Sequence, residues 1–326
     1  MGIPIERAER HIVEQSRKLR SFPQNRNWPR YLFHAAQAEV LCNIVKTGKL
    51  IPRASQEKML HDVANPGAIA AKTEARKYVR FYFRPKNDFH MRTEGIKCLG
   101  DPYRLEKQMS VPAMMVFDAK GILTIDETGF TKGCFASAEA TPEFSASFFD
   151  EIPFDDVYHD RAPSRERMRE VHFHRMAGVV FPGQIEISPY LRAIICRTSL
   201  DRQTVLTTLG ARAAEFQEVV RVEQIYGSCF MHRGLYIAEI NSDDDKIHIR
   251  LHRPHDSPPT GKIRVSIRQT FDGELVQTSS GEVSGSANGI TASGFKIYDG
   301  AIWEIDLEDV IAYRGPLLPS GSVVIP

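Results

Sequence analysis

Several features that are used to classify proteins are missing from this chain of 326 residues. Its five cysteines, Cys42, Cys98, Cys134, Cys196 and Cys229, include no pair with the CxxC spacing of a zinc or redox motif, and their odd number indicates free thiols. No run approaches the roughly 20 apolar residues that a membrane span needs. The opening residues, Met-Gly-Ile-Pro-Ile-Glu-Arg, lack the apolar core of a signal peptide. We therefore expect a cytoplasmic protein that makes no contact with a membrane.

An excess of charge of one sign is also missing. The formal net charge is +1, so no global field would attract a polyanion, although a local basic face is not excluded. The sequence contains no Rossmann fingerprint, P-loop, nucleophile elbow or Ser-His-Asp order, which argues against the enzymes that carry them. The residues that are present are 42% hydrophobic and 25% charged, which is the composition of a soluble globular protein. The length suits two domains, or one large domain with an appendage.

Hydrophobic periodicity divides the chain into a mixed first part and a strand-rich second part. In the first part we predict helices at 5–20, 37–48 and 164–175 and strands at 31–34, 78–84, 111–117, 121–125, 177–181 and 191–197. A helical stretch at 201–224 follows. Beyond it we predict strands at 235–240, 246–251, 262–267, 295–297 and 301–305, separated by turn segments that include the Ser/Gly-rich stretch 279–294. This spacing predicts a small all-β sandwich, with residues 315–326 as an extended tail.

The first predicted helix allows two interpretations. Ile5, Ala8 and Ile12 lie near one face, which indicates a helix that packs on a core and keeps its charges in solvent. A cluster of basic residues is also typical of an arm that contacts phosphates. That cluster contains Arg7, Arg10, Arg17, Lys18 and Arg20. We favour the packing helix.

Three elements of the first two hundred residues resemble one family. They are Tyr31-Leu32-Phe33-His34, which a helix and Gly48 follow; Phe81-Tyr82-Phe83-Arg84-Pro85-Lys86; and Arg175-Met176-Ala177-Gly178-Val179-Val180-Phe181-Pro182. In this order and spacing the elements are similar to the DarT-type ADP-ribosyltransferase toxins, which modify DNA bases. The resemblance covers residues 28–200, and residues 205–326 lie outside it.

The resemblance implies both a fold and a reaction. The fold is α+β, an ADP-ribosyltransferase-like split antiparallel sheet with helices over residues 1–200, followed by a helical connector at 201–225 and a small all-β module of unknown role at 226–326. The reaction transfers ADP-ribose from NAD+ to a base of single-stranded DNA, guanine or thymine, and releases nicotinamide; the version here is more similar to the guanine-modifying branch. RNA stays open as the acceptor. A toxin–antitoxin or phage-defence role is implied, with an antitoxin ADP-ribosyl hydrolase as partner.

The resemblance also assigns roles to single residues. NAD+ binding falls to His34, Ala35, Ala36, Leu50, Tyr82, Phe83 and Arg84, and catalysis to Arg84 and Lys86. These residue types suit the reaction, because a histidine can bond a ribose hydroxyl, an arginine binds phosphate in a planar, bidentate way, and aromatic rings sandwich nicotinamide. Ala35 and Ala36 stand where a small hydroxyl residue is usual, and Lys86 where arginine is more frequent. Along this strand we expect Phe81 and Phe83 to face the core and Tyr82 the opposite side.

A phenylalanine-rich segment follows Cys134 and allows two interpretations. It is either a loop that stacks nucleic-acid bases or a loop whose aromatic rings attach it to the core. We assign nucleic-acid contacts to Arg92, Phe148, Phe149 and His159.

Gly178 is the largest departure from the family pattern. The family has Ala-Glu before an apolar strand and a proline, whereas this chain has Ala177-Gly178, so the expected catalytic glutamate is absent. We favour an inactivated variant of the enzyme. Two alternatives stay open: Glu170 supplies the carboxylate, or the chain is a natural pseudoenzyme that binds NAD+ or nucleic acid. Because a carboxylate must bond the ribose hydroxyl and act as base, we expect this chain to be inactive or nearly so.

Other functions are weighed against this interpretation. A nucleic-acid-binding sensor without catalysis and an ADP-ribosyltransferase that acts on protein or RNA are the two rivals. His159, His172 and His174 with Asp160 could suggest a metal site. His172 and His174 could act as a pair, but no residue has the spacing of a third ligand beside them, so we predict no metal site.

Overall fold

The computed structural model describes residues 2–56, 73–97, 108–135, 140–224, 228–243, 245–253, 261–284 and 287–317. The helices of this part are α1 (Ile5–Lys18), α2 (Ala38–Thr47), α3 (Asp88–Thr93), α4 (Ala119–Leu123), α5 (Ala146–Asp150), α6 (Phe154–Val157), α7 (Met168–His174), α8 (Ser199–Leu209) and α9 (Ala213–Phe216). Its strands are β1 (Tyr31–Gln37), β2 (Lys49–Leu50), β3 (Tyr78–Tyr82), β4 (Pro112–Asp118), β5 (Gly129–Thr131), β6 (Gly178–Pro182), β7 (Ile185–Glu186), β8 (Leu191–Cys196), β9 (Val220–Val222), β10 (Tyr236–Asp243), β11 (Lys246–His252), β12 (Lys262–Phe271), β13 (Glu274–Ser284), β14 (Gly289–Ser293), β15 (Ile302–Leu307) and β16 (Val310–Gly315).

A seven-stranded sheet organises the first part of the chain. Its order is β5–β6–β3–β1–β4–β8–β9, and its strands are antiparallel except for the pair β8–β9. Buried apolar side chains such as Phe33, Phe81 and Phe117 pack on it in one continuous core. Helix α1 joins this core through Ala8 and His11, so it is the packing helix that we favoured.

The sheet is split between β1 and β3. Strand β1 pairs with β4 along its whole length, but it meets β3 only at Phe33↔Tyr82. Beyond that pair the two strands separate, and β3 continues with β6 on its other side. The predicted α+β fold with a split antiparallel sheet is therefore confirmed.

Two of the predicted elements in the first part are wrong. Residues 121–125 are not a strand, because the Asp118 side chain accepts a hydrogen bond from the Gly121 amide (3.1 Å) and caps helix α4. Residues 220–222 are not helical, because they form β9 and Val220 is fully buried beside β8. Tertiary packing of branched side chains outweighs the local helical pattern here.

The second part contains two facing sheets, β10–β11–β14 and β13–β12–β15–β16, around a core of their own. The Ser/Gly-rich stretch 279–294, predicted to be turns, instead supplies most of β13 and all of β14. These polar residues can form strands because β12 offers a full ladder to β13 and buries its own apolar side. The strand predicted at 295–297 is also wrong, since Phe295 reaches the core from a loop and contacts Trp303. Of the predicted tail, residues 318–326 lie outside the described residues.

The predicted connector at 201–225 contacts both parts of the protein. Helix α8 packs on α2 and on β16, while β9 completes the first sheet. The domain boundaries at 200 and 225 therefore stay predictions. No described helix combines the length and the apolar character needed to cross a membrane.

A buried ion pair fastens α8 between the two parts. The Arg197 guanidinium donates to Asp201 (Nε–Oδ2 3.0 Å) and to the Ser110 carbonyl (2.7 Å). It also lies 3.7 Å from the centre of the Tyr236 ring in β10. Its side chain and that of Asp201 are 0% and 3% exposed, so water cannot replace either partner.

Removing one partner of this pair should therefore cost much of the stability. Asp201→Ala leaves an uncompensated buried guanidinium, and we expect a loss of about 3–5 kcal/mol in the free energy of unfolding. The exposed pair Arg212–Glu215 is the matched control, and Glu215→Gln should change stability by less than about 0.5 kcal/mol. Urea denaturation of both variants measures the difference. Equal losses would contradict the role given to Arg197 and Asp201.

Candidate active site

His34 closes the split in the sheet with its side chain. Its Nδ1 donates to the Arg80 carbonyl oxygen (2.9 Å), a group that regular pairing of β1 with β3 would have occupied. Burial lowers the pKa of His34, so the ring is neutral. With a proton on Nδ1, Nε2 carries a lone pair and can only accept a hydrogen bond. The split thus holds an acceptor suited to a hydroxyl or amide donor.

The strand Phe81-Tyr82-Phe83 divides its side chains as expected. Phe81 and Phe83 belong to the hydrophobic core, which confirms that part of the prediction, whereas Tyr82 lies outside that core and stacks on Phe89 with ring centres 6.3 Å apart. Phe83 is only 1% exposed, so it offers no ring face to a cofactor. Of the other residues assigned to NAD+, Ala35 and Ala36 lie in β1 and Leu50 in β2, where Leu50 is buried.

Arg84 is a buried structural cation. Its side chain is 2% exposed and donates to the Val157 carbonyl (3.1 Å), the His159 carbonyl (2.7 Å) and the Asp160 carboxylate (2.9 Å). Burial lowers the pKa of Arg84 to about 9 in spite of Asp160. Its guanidinium also lies 4.8 Å from the centre of the Trp28 ring. These contacts occupy both terminal nitrogens of Arg84, whereas its buried Nε has no hydrogen-bond partner among the described residues. The phosphate binding and catalysis that the resemblance implies for Arg84 stay predictions.

Lys86 shares the same counter-ion. Its Nζ lies 3.3 Å from the second Asp160 oxygen, and its side chain is 15% exposed. Unlike Arg84, it makes no hydrogen bond to the backbone among the described residues. Lys86 is therefore the more available of the two cations assigned to catalysis.

Gly178 begins β6 directly opposite Tyr82. A Cβ at this position would lie 2.2 Å from the Phe81 carbonyl oxygen, which is backbone and far inside van der Waals contact. The close approach of β6 to β3 thus requires glycine in this backbone. The position at which the sequence resemblance leads us to expect a glutamate has glycine and, in this backbone, no room for a side chain.

Two carboxylates that could be considered in its place already have cationic partners. Glu170 lies on exposed α7 and contacts Arg167 (3.4 Å), while Asp160 is held by Arg84 and Lys86. Glu170, Asp156 and His174 do place one potential metal ligand each within 4.8 Å of one another. Arg167 already donates two hydrogen bonds to Asp156 (2.8 and 2.6 Å), so this cluster has its cation.

The residues assigned to nucleic acid differ in burial and in their contacts. Phe149 is 2% exposed within the core and has no free ring face, so the structure contradicts its assignment to base stacking. Phe148 is half-buried, with the Lys132 ammonium 4.6 Å from its ring centre. Arg92 lies in α3, and the His159 carbonyl serves to hold Arg84 and Arg175.

His90 lies beside Tyr82 and is a candidate site residue that the sequence did not reveal. It is 3% exposed, its Nδ1 contacts the Pro85 carbonyl oxygen, and its Nε2 is buried without a hydrogen-bond partner. Its ring packs against Tyr82 with centres 6.0 Å apart. A buried polar atom without a partner costs about 1–3 kcal/mol, and a catalytic or ligand-binding role is one of the reasons for which proteins keep such an atom. Only the fold could show this, because the sequence around His90 reads as an ordinary short helix.

A family comparison decides the identity of the first part. Residues 33–227 match the family described as "ssDNA thymidine ADP-ribosyltransferase, DarT", which is more than half of the chain. The chain belongs to the DarT family. The match extends beyond residue 200 and includes α8 and β9, in accord with their place in the first sheet. No curated protein sequence matches the chain.

Solved structures of the DarT family are similar to this chain over the same region. Thermus sp. 2.9 DarT in complex with NAD+ is 14% identical, with a TM-score of 0.47, over 60% of this chain and 96% of that one. The same protein in complex with ADP-ribosylated ssDNA is 14% identical, with a TM-score of 0.48, over 60% and 95%.

The crowding at Gly178 makes a prediction about stability. Gly178→Ala must push β6 away from β3, and we expect a loss of about 2–4 kcal/mol, because the clash is with backbone. Gly281→Ala is the matched control, since it lies in strand β13 and a Cβ there meets nothing within 4 Å. Thermal unfolding compares the two. A Gly178→Ala protein as stable as the control would show that β6 accommodates a side chain.

The buried imidazole of His90 predicts a pH dependence. Burial, helped by nearby His34 and Arg84, lowers the pKa of His90 to about 3 from 6.5. The unfolded chain then binds the proton more readily, so stability is full above pH 6.5 and falls as the pH drops toward 3, by roughly 1.4 kcal/mol per pH unit for one histidine.

Denaturation of the His90→Phe variant between pH 6.5 and 5 tests this. The slope of unfolding free energy against pH should decrease by roughly 1.4 kcal/mol per unit relative to the wild type. His11→Phe is the positive control for this effect of the proton. Burial also lowers the pKa of His11 to about 3, so this substitution should decrease the slope in the same way. An unchanged slope for His90→Phe would mean that this imidazole already binds a proton in the folded protein.

Proposed function

We propose that this chain binds NAD+ at the split between β1 and β3 and single-stranded DNA beside it, and that Gly178 leaves it unable to complete the transfer of ADP-ribose. The family reaction is ADP-ribosylation of thymidine in single-stranded DNA. The observation that carries the proposal is the position of Gly178, opposite Tyr82 and without room for a side chain. The same geometry keeps the binding groups and lacks the reacting one.

The residues around the split fit NAD+. His34 Nε2 accepts a hydrogen bond from a ribose hydroxyl, because its Nδ1 proton is held by the Arg80 carbonyl. Tyr82 supplies an aromatic wall, and Lys86 rather than Arg84 supplies the cation that meets phosphate. In the family reaction NAD+ is a substrate: the bond between nicotinamide and ribose breaks, the ADP-ribosyl group is bonded to the base, and nicotinamide leaves. Thermus sp. 2.9 DarT has been solved with NAD+ and with carba-NAD+, which supports this choice of ligand.

Loss of the carboxylate acts on the transition state more than on binding. Cleavage of the bond between nicotinamide and ribose develops positive charge at the ribose, and a carboxylate stabilises that charge and orients the attacking base. Glycine provides neither effect. Groups that contact the ground state are unaffected, so NAD+ binding is retained while the rate falls.

Lys132 and Phe148 form the best surface for the DNA. The half-buried Phe148 ring has the Lys132 ammonium 4.6 Å from its centre, and a ring beside a cation suits a single strand. Glu151 pairs with the same ammonium at 2.6 Å, so a phosphate must displace this carboxylate in order to bind. Three acceptors of ADP-ribose are to be compared. Thymidine is the acceptor in the family description, guanine is favoured by the sequence resemblance, and RNA is the third.

The biological setting belongs to the same proposal. A toxin–antitoxin or phage-defence role, an ADP-ribosyl hydrolase that removes the mark, and a cytoplasmic location all rest on the family resemblance. In that setting, a chain that binds NAD+ and DNA without modifying either is a sensor or an inactive form of the toxin.

Two measurements on the full chain test the proposal. Calorimetric titration of the wild type with NAD+ should show binding, and His34→Phe should weaken it about tenfold, the effect of one lost hydrogen bond. His248→Phe, a substitution of the same kind in the second part, is the control and should bind as the wild type does. Absence of binding by the wild type would overturn the NAD+ site.

Labelled NAD+ with thymidine-containing DNA, guanine-containing DNA, RNA and protein then reports transfer. The wild type should transfer nothing to any of them. Transfer by the wild type would show that another group replaces the glutamate, and Glu170→Gln would identify it. Gly178→Glu should recover transfer only if β3 yields, with Gly178→Ala as the control for strain.

A further inference from the structure

The segment that leads into the module formed by β10 to β16 is hydrogen-bonded to the end of helix α3. Glu94 directly follows α3 and is 1% exposed. Its two carboxylate oxygens accept hydrogen bonds from the Met231 and His232 amides, both at 2.8 Å. These amides lie in the segment that leads into β10. A buried carboxylate of the first part is therefore satisfied by the backbone of the second.

The contact continues along the chain on both sides. Ile96 and Leu235 exchange two backbone hydrogen bonds of 2.8 and 2.7 Å, as neighbouring strands do. A Cβ on Gly95 would lie 2.2 Å from the Arg233 carbonyl oxygen, so the two backbones touch. The Lys97 ammonium donates to the Glu94 carbonyl (2.8 Å) and closes the turn. The joint is built from backbone groups and leaves little freedom to shift.

The segment that holds Glu94 is itself fixed from the first part. Glu223, which follows β9, accepts from the Cys229 amide and from His232 Nε2, the latter at 2.9 Å. His232 also meets the Tyr236 hydroxyl (3.1 Å) and has a φ of 53°, in the left-handed region that a non-glycine residue rarely adopts. Such a conformation persists only where surrounding contacts impose it.

Helix α3 needs this support. It has six residues, and a helix so short has no stability of its own. At its start Asn87 caps the His90 amide (3.2 Å), and at its end Glu94 binds the module. Between these anchors lies His90, against Tyr82.

We infer that Glu94 is a positioning residue, through which the C-terminal module holds α3 and sets the place of His90 at the split. The module is then a part of the NAD+ site and not a separate binding appendage. The effect on ligand binding rests on the proposed function, whereas the mechanical coupling does not.

Hydrogen exchange on the full chain tests the coupling. In Glu94→Ala the amides of residues 88–96 and 231–232 should exchange at least roughly tenfold faster, while those of β12 and β15 keep their protection. Glu94→Gln retains one acceptor oxygen, so its protection should lie between that of the wild type and that of Glu94→Ala. If Glu94→Ala does not fold, the comparison of Glu94→Gln with the wild type tests the coupling. Glu239→Gln, in an exposed pair with Arg250 of the module, is the matched control.

NAD+ titration of the same variants gives the second readout. If the wild type binds NAD+, we expect Glu94→Ala to bind it roughly tenfold more weakly and Glu94→Gln to lie between, with Glu239→Gln unchanged. Exchange that is unaltered in α3, or faster throughout the module, would overturn the inference, as would full NAD+ affinity in Glu94→Ala. A wild type that fails to bind NAD+ would overturn the proposed function alone, since the exchange result decides the coupling by itself.

Discussion

The buried charge of Arg84 is the constraint on which the first part of the protein depends. A guanidinium at 2% exposure needs partners, and it has them in Asp160, in the Val157 carbonyl at the end of α6 and in the His159 carbonyl of the loop that follows. That loop also receives Arg175, whose guanidinium donates to the His159 and Arg161 carbonyls (2.9 and 2.6 Å) immediately before β6. The end of β3, the loop and the start of β6 are thereby held around one cation. A catalytic role for Arg84 would require the protein to give up this arrangement.

The split in the sheet and the crowding at Gly178 are two results of how β3 is placed. On one side β3 leaves β1 after a single pair, and His34 takes over the exposed Arg80 carbonyl. On the other side β3 approaches β6 so closely that only glycine fits. The first result leaves His34 Nε2 as a hydrogen-bond acceptor at the split, and the second leaves no room for a side chain at position 178. In the proposed function, NAD+ binding depends on one edge of β3 and the transfer of ADP-ribose on the other.

The sequence predicted those elements that strong local patterns specify. Strand β3 follows from its aromatic run and helix α2 from its apolar face and its end at Gly48, which adopts a φ of 72°. The polar strands β13 and β14 could not be predicted, because Ser279 and Gly281 form a strand only when β12 offers its ladder. Likewise β9 depends on pairing with the parallel strand β8, which is separated from it in the sequence by helices α8 and α9. Motifs predicted His34 and Gly178, but nothing local distinguishes His90 or Glu94.

The sequence by itself determined the family, the split α+β fold and the absence of a glutamate at position 178, since these depend on residue identity and order. Only the tertiary structure decided which charged groups are free to act. It neutralised Arg84 with Asp160, buried Phe149 in the core and joined Glu94 to the amides before β10. The physical reason is that desolvation and hydrogen bonding depend on partners brought together by folding, which sequence spacing does not record.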